Sequence, residues 1–208
     1  NESGRPEERE LTLAEFRVAI RLLAYQAETQ ALIPFLLHEA SVHENFGPLV
    51  AQANSTVESL SSVLAIGMHN AVACSEDAPL YGDAPSGEGT YMGASSLEFL
   101  REACAEWPRG PVDEDFRAPL KSTRPVLILS GEMDPITPPE DAERMSAGLA
   151  HSTHLVVAGS GHGVARLGCV PRLMSKFVEA GSAEALDTRC AERLGPFPFV
   201  LDANGPSP

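Results

Sequence analysis

The chain has 208 residues and is 43% hydrophobic, enough to bury the core of one domain or of two small ones. Its formal net charge of −14 argues against nucleic acid and anionic membranes as partners. No run approaches the ~20 apolar residues of a membrane span. The polar residues 1–10 are typical of an exposed terminus or linker and do not resemble a signal peptide.

The four cysteines have no C-x-x-C spacing, which argues against a zinc site and against a thioredoxin-like redox site. Three pairings are possible, and the most economical is local: Cys74 with Cys104, and Cys169 with Cys190. The alternative is four reduced, buried thiols in a cytosolic protein. We expect the two local disulfides and therefore a secreted or periplasmic protein.

The first third of the chain predicts helices with no strand between them. Thr12 and Glu15 form a capping box at the start of the first helix. The expected helices cover residues 12–27, 32–40, 45–53 and 56–67. His38 and His43 are five positions apart and do not share a helix face well, so we expect them to be structural or exposed.

A glycine- and proline-rich segment follows over residues 78–96 and predicts an irregular loop. A helix over residues 97–107 and a polar linker over 109–124 complete this region. We therefore divide the chain into a helical cap or lid region with an irregular loop, residues 1–115, and a core region, residues 116–208.

Two short apolar runs, residues 126–129 and 154–157, each precede a glycine-containing turn that carries one ionisable residue. A helix expected over residues 138–149 separates the runs. This pattern predicts a buried parallel strand pair with a right-handed crossover, and hence an α/β fold. Asp134 and His162 would then lie together at the carboxyl ends of the strands, where reactive groups collect.

A carboxylate beside an imidazole can form the acid–base half of a Ser-His-Asp triad. Taken alone, the Asp-Pro sequence is an ordinary turn and Gly-His-Gly an ordinary flexible loop. Together, the aspartate first and the histidine after one crossover, they favour the triad. Thr137 is within reach of Asp134 to support it, and is also expected to be the N-cap of a helix whose capping box is completed by Glu140.

The end of the chain predicts one more helix and an apolar tail. The helix covers residues 169–180 and ends at Gly181 as its C-cap. Its expected inward residues are Leu173, Met174, Phe177 and Val178. The proline-broken tail over residues 196–201 is expected to pack as an extended strap.

A nucleophile is the missing part of this triad. The sequence contains no G-x-S-x-G elbow: Gly93-Ala-Ser-Ser-Leu97 has only its first half, and Ser160 lies on the histidine loop itself, where it could not face His162. In α/β-hydrolases the serine precedes the acid and the base. Since two parallel strands are also too few for a stable sheet, we expect the amino-terminal half of the same hydrolase, carrying the elbow serine, as a partner.

Several spaced motifs together resemble the carboxyl-terminal domain of tripeptidyl-aminopeptidase-like α/β-hydrolases, a family similar in fold to proline iminopeptidases. The motifs are Leu-Ser-Gly-Glu-Met-Asp134-Pro-Ile-Thr-Pro-Pro, Gly-Ser-Gly-His162-Gly, Gly-Cys169-Val, Leu-Asp-Thr-Arg-Cys190, Ala-Val-Ala-Cys74-Ser-Glu-Asp77 and Cys104-Ala-Glu-Trp107-Pro. The resemblance implies a helical cap inserted before the strand that carries the acid, with Asp134 as triad acid and His162 as triad base.

The family comprises exported serine exopeptidases and related esterases, so the resemblance implies an aminopeptidase-type serine hydrolase without metal or cofactor. The alternatives are an esterase with the same triad and a non-catalytic fragment or binding subunit. In an aminopeptidase, Glu76 or Asp77 would bind the ammonium group of the peptide substrate. The alternative for these two carboxylates is a solvated acidic turn.

Overall fold

The structure, a computed structural model, describes residues 10–82, 87, 89–93, 95–184 and 186–206. The polar residues 1–9 and part of the loop expected over residues 78–96 lie outside the described residues. No helix in the described part is long and apolar enough to cross a membrane. Helices combine with a parallel strand pair, so the predicted α/β class is confirmed.

The helices and strands alternate only in the second half of the chain. The helices are α1 (Leu13–Leu23), α2 (Ala27–Gln30), α3 (Ile33–Val42), α4 (Gly47–Val63), α5 (Ile66–Val72), α6 (Ser95–Glu106), α7 (Pro139–Ser146) and α8 (Val170–Ala180). The strands are β1 (Ser122–Gly131), β2 (Leu149–Val157), β3 (Val200–Asp202) and β4 (Gly205–Pro206).

The chain forms two compact units. One contains the chain through Leu22 together with Ala53–Phe116, and the other contains Leu23–Gln52 and the chain from Arg117 onward. The division into a cap at residues 1–115 and a core at 116–208 stays a prediction. Residues 23–52, which we placed in the cap, pack in the same unit as the strands.

In the first unit the predicted capping box is confirmed. The Thr12 hydroxyl accepts the Glu15 backbone N–H at 3.2 Å, and the Glu15 carboxylate accepts the Thr12 N–H at 2.9 Å. The prediction of separate helices over residues 45–53 and 56–67 is wrong, because one continuous helix, α4, runs through the polar residues between them. The Cys74–Cys104 disulfide joins α6 to a π-helical turn at Ala73–Asp77, and both cysteines are buried.

In the second unit β1 and β2 pair in parallel, with Ile128 opposite His154 and Ser130 opposite Val156. Side chains alternate between the two faces of a sheet. Leu155 and Val157 lie on the face that packs against α8. Val156, on the other face, is 40% exposed, so the prediction of a strand pair buried on both faces is wrong for the described structure.

Helix α8 buries a narrower stripe than its sequence predicts. Val170 and Leu173 are buried, and Phe177 is half-buried. Met174 and Val178 are exposed, so their predicted inward orientation is wrong. The spacing 170, 173, 177 follows one narrow helix face, and residues 174 and 178 lie beside it. Gly181 ends the helix in the left-handed conformation, as predicted.

The Cys169–Cys190 disulfide joins the start of α8 to the segment that precedes the tail. The tail over residues 196–201 runs into β3, which pairs with β4 in an antiparallel hairpin. The Val200 N–H donates to the Ala31 carbonyl at 3.0 Å, just before α3. His38 and His43 are exposed, as predicted, but their rings contact each other because His43 follows the last residue of α3.

Candidate active site

Asp134 lies in the turn that follows β1, which we call the acid loop (residues 131–137). Its carboxylate is almost completely buried, at 4% side-chain exposure. Oδ1 accepts the backbone N–H groups of Ile136 at 2.8 Å and Thr137 at 3.0 Å. Such bonds from an aspartate to the backbone that follows it define an Asx turn. The acid loop therefore orients its own carboxylate through bonds between near neighbours.

Thr137 supports this carboxylate directly, since its hydroxyl donates to Asp134 Oδ2 at 2.9 Å. The predicted role of Thr137 as helix N-cap is wrong: the N-cap of α7 is Pro138, and the helix begins at Pro139. The capping box with Glu140 is therefore also absent from the described structure. Thr137 lies one residue before this N-cap, and its hydroxyl and N–H both donate to Asp134 instead.

The environment of Asp134 favours its ionised form. Burial is the largest single influence and would raise the pKa of the carboxyl group. Hydrogen bonds from the backbone of Thr137 and Ile136, from His162 and from the Thr137 hydroxyl act in the opposite direction. Together they outweigh burial and hold the pKa of Asp134 below its ordinary value of 3.8.

His162 lies in the turn after β2, which we call the histidine loop (residues 158–163). Its Nδ1 is 2.9 Å from Asp134 Oδ2 and 3.4 Å from the Thr137 hydroxyl. A neutral imidazole that donates Nδ1–H to this carboxylate carries its free lone pair on Nε2. The His162 side chain is 39% exposed. The pair is therefore arranged as a buried carboxylate that orients an accessible base.

The histidine loop is held by residues that are distant in sequence. The His162 N–H donates to the Tyr25 carbonyl at 2.6 Å, and the Gln26 side-chain amide donates to the His162 carbonyl at 3.2 Å. The rings of Tyr25 and His162 meet edge to face, with centroids 5.6 Å apart. Sequence analysis missed Tyr25 and Gln26, and no motif around them indicates this role.

The two loops are also bonded to each other. The Met133 N–H donates to the Ser160 carbonyl at 2.9 Å, and the Gly159 N–H donates to the Glu132 carboxylate at 2.7 Å. A Cβ added to Gly131 would lie 2.0 Å from the Gly161 carbonyl oxygen. Glycine at position 131 is thus required for the loops to approach each other. Glu132 could have been singled out from the sequence because it lies in the motif Gly131-Glu-Met-Asp134, beside the acid.

No described serine is hydrogen-bonded to His162. Ser160 is buried, and its hydroxyl donates to the Ala158 carbonyl at 3.4 Å. A serine–histidine contact elsewhere joins Ser130 Oγ to His154 Nε2 at 2.9 Å, but Ser130 is buried within β1. The side chains of Ser95 and Ser96 lie outside the described residues.

Glu76 and Asp77 lie in the π-helical turn of the first unit, next to Cys74. Glu76 is half-buried and Asp77 is exposed. A single π-helical turn is frequently found at functional sites. Since Asp134 and His162 belong to the second unit, binding of a substrate ammonium by Glu76 or Asp77 stays a prediction.

The comparisons with known proteins give one match. Residues 90–190 match the model of a family described as TAP-like protein. No curated protein and no solved structure matches the chain. The matched region contains Asp134, His162 and three of the four cysteines, with Cys74 outside it.

Proposed function

Because residues 90–190 belong to the TAP-like family of α/β-hydrolases, we propose that this chain supplies the acid and the base of a serine hydrolase of the exopeptidase type. The observation that carries the proposal is the 2.9 Å contact between Asp134 Oδ2 and His162 Nδ1, in which the acid is buried and the His162 side chain is 39% exposed. This arrangement of buried acid and accessible base is what proton transfer from a nucleophile requires.

In the proposed reaction, His162 Nε2 accepts the proton of a serine hydroxyl as the serine oxygen attacks a carbonyl carbon. The Asp134 carboxylate stabilises the imidazolium that forms and keeps its ring oriented. Nε2 then gives the proton to the leaving group, an amine for a peptide or an alcohol for an ester. Thr137 holds Asp134 in position throughout, through its 2.9 Å hydrogen bond to Oδ2.

We propose that the serine belongs to an amino-terminal half of the same hydrolase, outside residues 1–208. Residues 1–208 contain no G-x-S-x-G elbow. Within the described residues the sheet that carries the acid and base has only two strands, β1 and β2. Further strands would pair with the edges of this sheet, and the helices that connect them would cover apolar side chains on its open face, such as Val156.

The proposed substrate is a peptide with a free amino terminus. Recognition of its ammonium group needs a carboxylate, and Glu76 is the stronger candidate because it is half-buried. The two disulfides are compatible with an oxidising compartment. We therefore propose that the hydrolase is secreted or periplasmic.

The test compares three substrate types on the intact hydrolase: a chromogenic tripeptide with a free amino terminus, its N-acetylated form, and a simple ester. We expect the free-amine peptide to have the highest kcat/KM, and His162→Ala to abolish turnover of all three. His43→Ala removes an exposed histidine of the same unit and is the matched control.

Glu76→Gln should reduce the preference for the free amine over the acetylated peptide. A higher kcat/KM for the ester than for both peptides would show that the hydrolase is an esterase and not a peptidase. Turnover unaffected by His162→Ala would exclude the triad, and a folded protein without hydrolase activity would favour a binding subunit.

A further inference from the structure

We propose that residues 24–30, which comprise the three residues after α1 and helix α2, form a clasp that positions both active-site loops, with Tyr25 as a positioning residue for the His162 imidazole. The role of the clasp in catalysis rests on the proposed function, but its effect on the geometry of His162 does not. Nothing in the sequence motifs of the chain assigns a role to this segment.

The clasp is held together by its own hydrogen bonds. The Thr29 hydroxyl donates to the Leu23 carbonyl at 2.6 Å, and the Gln30 amide donates to the Ala24 carbonyl at 2.6 Å. Leu23 and Ala27 are buried and anchor the segment in the core of its unit. A segment with fixed internal bonds can hold another loop in place, because little freedom remains to be lost when it makes further contacts.

The clasp forms hydrogen bonds with both the N–H and the carbonyl of His162 in the histidine loop. The N–H of His162 donates to the Tyr25 carbonyl, and the carbonyl of His162 accepts from Gln26. The approach is so close that a Cβ on Gly161 would lie 2.3 Å from the Tyr25 carbonyl oxygen. The backbone position of His162 is therefore set by the clasp.

The same segment reaches the acid loop. The Gln30 side-chain amide, already bonded within the clasp, also donates to the Met133 carbonyl at 3.3 Å. Met133 immediately precedes Asp134. The clasp thus contacts the residue before the acid and the backbone of the base, so a movement of the clasp would change the relation between the two loops.

The Tyr25 ring adds the constraint on the imidazole. Backbone bonds fix the Cα of His162 but leave its side-chain torsions free. The Asp134 carboxylate holds Nδ1, and the edge-to-face contact with Tyr25 restricts the ring as a whole. Because His162 is 39% exposed, water competes for the imidazole. Tyr25 therefore favours the rotamer in which Nδ1 faces Asp134 and Nε2 points away from that carboxylate.

The test uses Tyr25→Ala and Tyr25→Phe in the intact hydrolase, with Phe46→Ala as the control that removes an exposed ring from the same unit. We expect Tyr25→Ala to lower kcat roughly 10- to 100-fold with little change in KM, as misplacement of a catalytic group does. Tyr25→Phe keeps the ring and should restore near-parental kcat. Phe46→Ala should leave kcat unchanged.

A second readout does not depend on turnover. The Nδ1–H proton of His162 should give a downfield NMR resonance, assigned by its loss in His162→Ala. We expect this resonance to broaden in Tyr25→Ala and to stay sharp in Tyr25→Phe and Phe46→Ala. Gln26→Met, at an exposed position, removes the amide donor without adding a charge and should lower kcat severalfold.

A sharp Nδ1–H resonance in Tyr25→Ala would overturn the proposal, whatever the change in kcat. An equal loss of kcat in Tyr25→Ala and Tyr25→Phe would also overturn it, because the hydroxyl and not the ring would then matter. If the resonance broadens as expected while His162→Ala leaves turnover intact, the role of the clasp in positioning His162 is supported and the proposed triad is rejected.

Discussion

The acid loop and the histidine loop follow neighbouring parallel strands, yet Asp134 and His162 are held by different kinds of hydrogen bond. The bonds from the backbone to the Asp134 carboxylate come from residues only two and three positions away. The His162 carbonyl is bonded by Gln26, which is 136 positions away. The Asp134 carboxylate is thus oriented mainly by its near neighbours, whereas the His162 backbone is held by a segment distant in sequence. The following substitutions test this difference, from the largest expected effect to the smallest.

Asp134→Asn should lower kcat on the order of 10⁴-fold, the scale known for serine-protease triads. The amide can present an N–H to Nδ1 and so favours the wrong imidazole tautomer, with the proton on Nε2. The measurement is kcat on the free-amine tripeptide by the intact hydrolase. Asp141→Asn changes an exposed carboxylate in α7 and should leave kcat unchanged. Equal activity of the two variants would remove Asp134 from the triad.

Gly161→Ala should disrupt the histidine loop, because the new Cβ would lie 2.3 Å from a backbone oxygen of the clasp. We expect kcat to fall about 10- to 100-fold and the free energy of unfolding to fall by about 1–3 kcal/mol. Urea denaturation and steady-state kinetics measure the two effects. Gly195→Ala is the control, since a Cβ there meets nothing within 4 Å. Parental activity in Gly161→Ala would show that the loop does not need the clasp.

Thr137→Val tests the local support of the acid. It keeps the shape of the side chain and removes only the hydroxyl that donates to Asp134 Oδ2 at 2.9 Å. We expect a loss of about 1–2 kcal/mol in the free energy of unfolding and a drop of about 10-fold in kcat. Thr137→Ser retains the hydroxyl and should recover most of both. If serine and valine gave the same result, the hydroxyl would have no role.

The smallest effect is the pH dependence of stability that Asp134 contributes. Its pKa in the folded protein lies below the ordinary value of 3.8, so the folded state favours the carboxylate. This contribution is fully present above pH 3.8 and is lost as the pH falls through the lower folded pKa. Denaturation of the parent and of Asp134→Asn over that range measures it. We expect their difference in unfolding free energy to change with pH below 3.8; a constant difference would contradict the lowered pKa.

The same contrast explains what the sequence could predict. Asp134 and His162 were found because each follows an apolar run and a glycine, and because parallel strands place such turns together. The hydrogen bond between Thr137 and Asp134 was predictable because the two residues are three positions apart. The sequence was equally compatible with Thr137 as the N-cap of α7, a position that Pro138 occupies. A local pattern shows which bonds are possible and does not show which one forms.

Tyr25 and Gln26 could not be found in this way. Both lie between two helices in a region with no catalytic pattern, and their contacts to His162 exist only after the chain has folded. The error at Met174 and Val178 has the same origin, since the width of the buried stripe on α8 depends on the neighbours that cover it. Packing between distant segments decides both outcomes.

The most direct test of the central claim is labelling of the intact hydrolase with a fluorophosphonate, followed by peptide mapping. The probe forms a covalent bond with a serine that is activated by a neighbouring base. We predict one labelled serine, within a G-x-S-x-G sequence outside residues 1–208. The label should be lost in His162→Ala and kept in His154→Ala, which removes the other serine–histidine contact. A labelled serine within residues 1–208, or a label that survives in His162→Ala, would contradict the account.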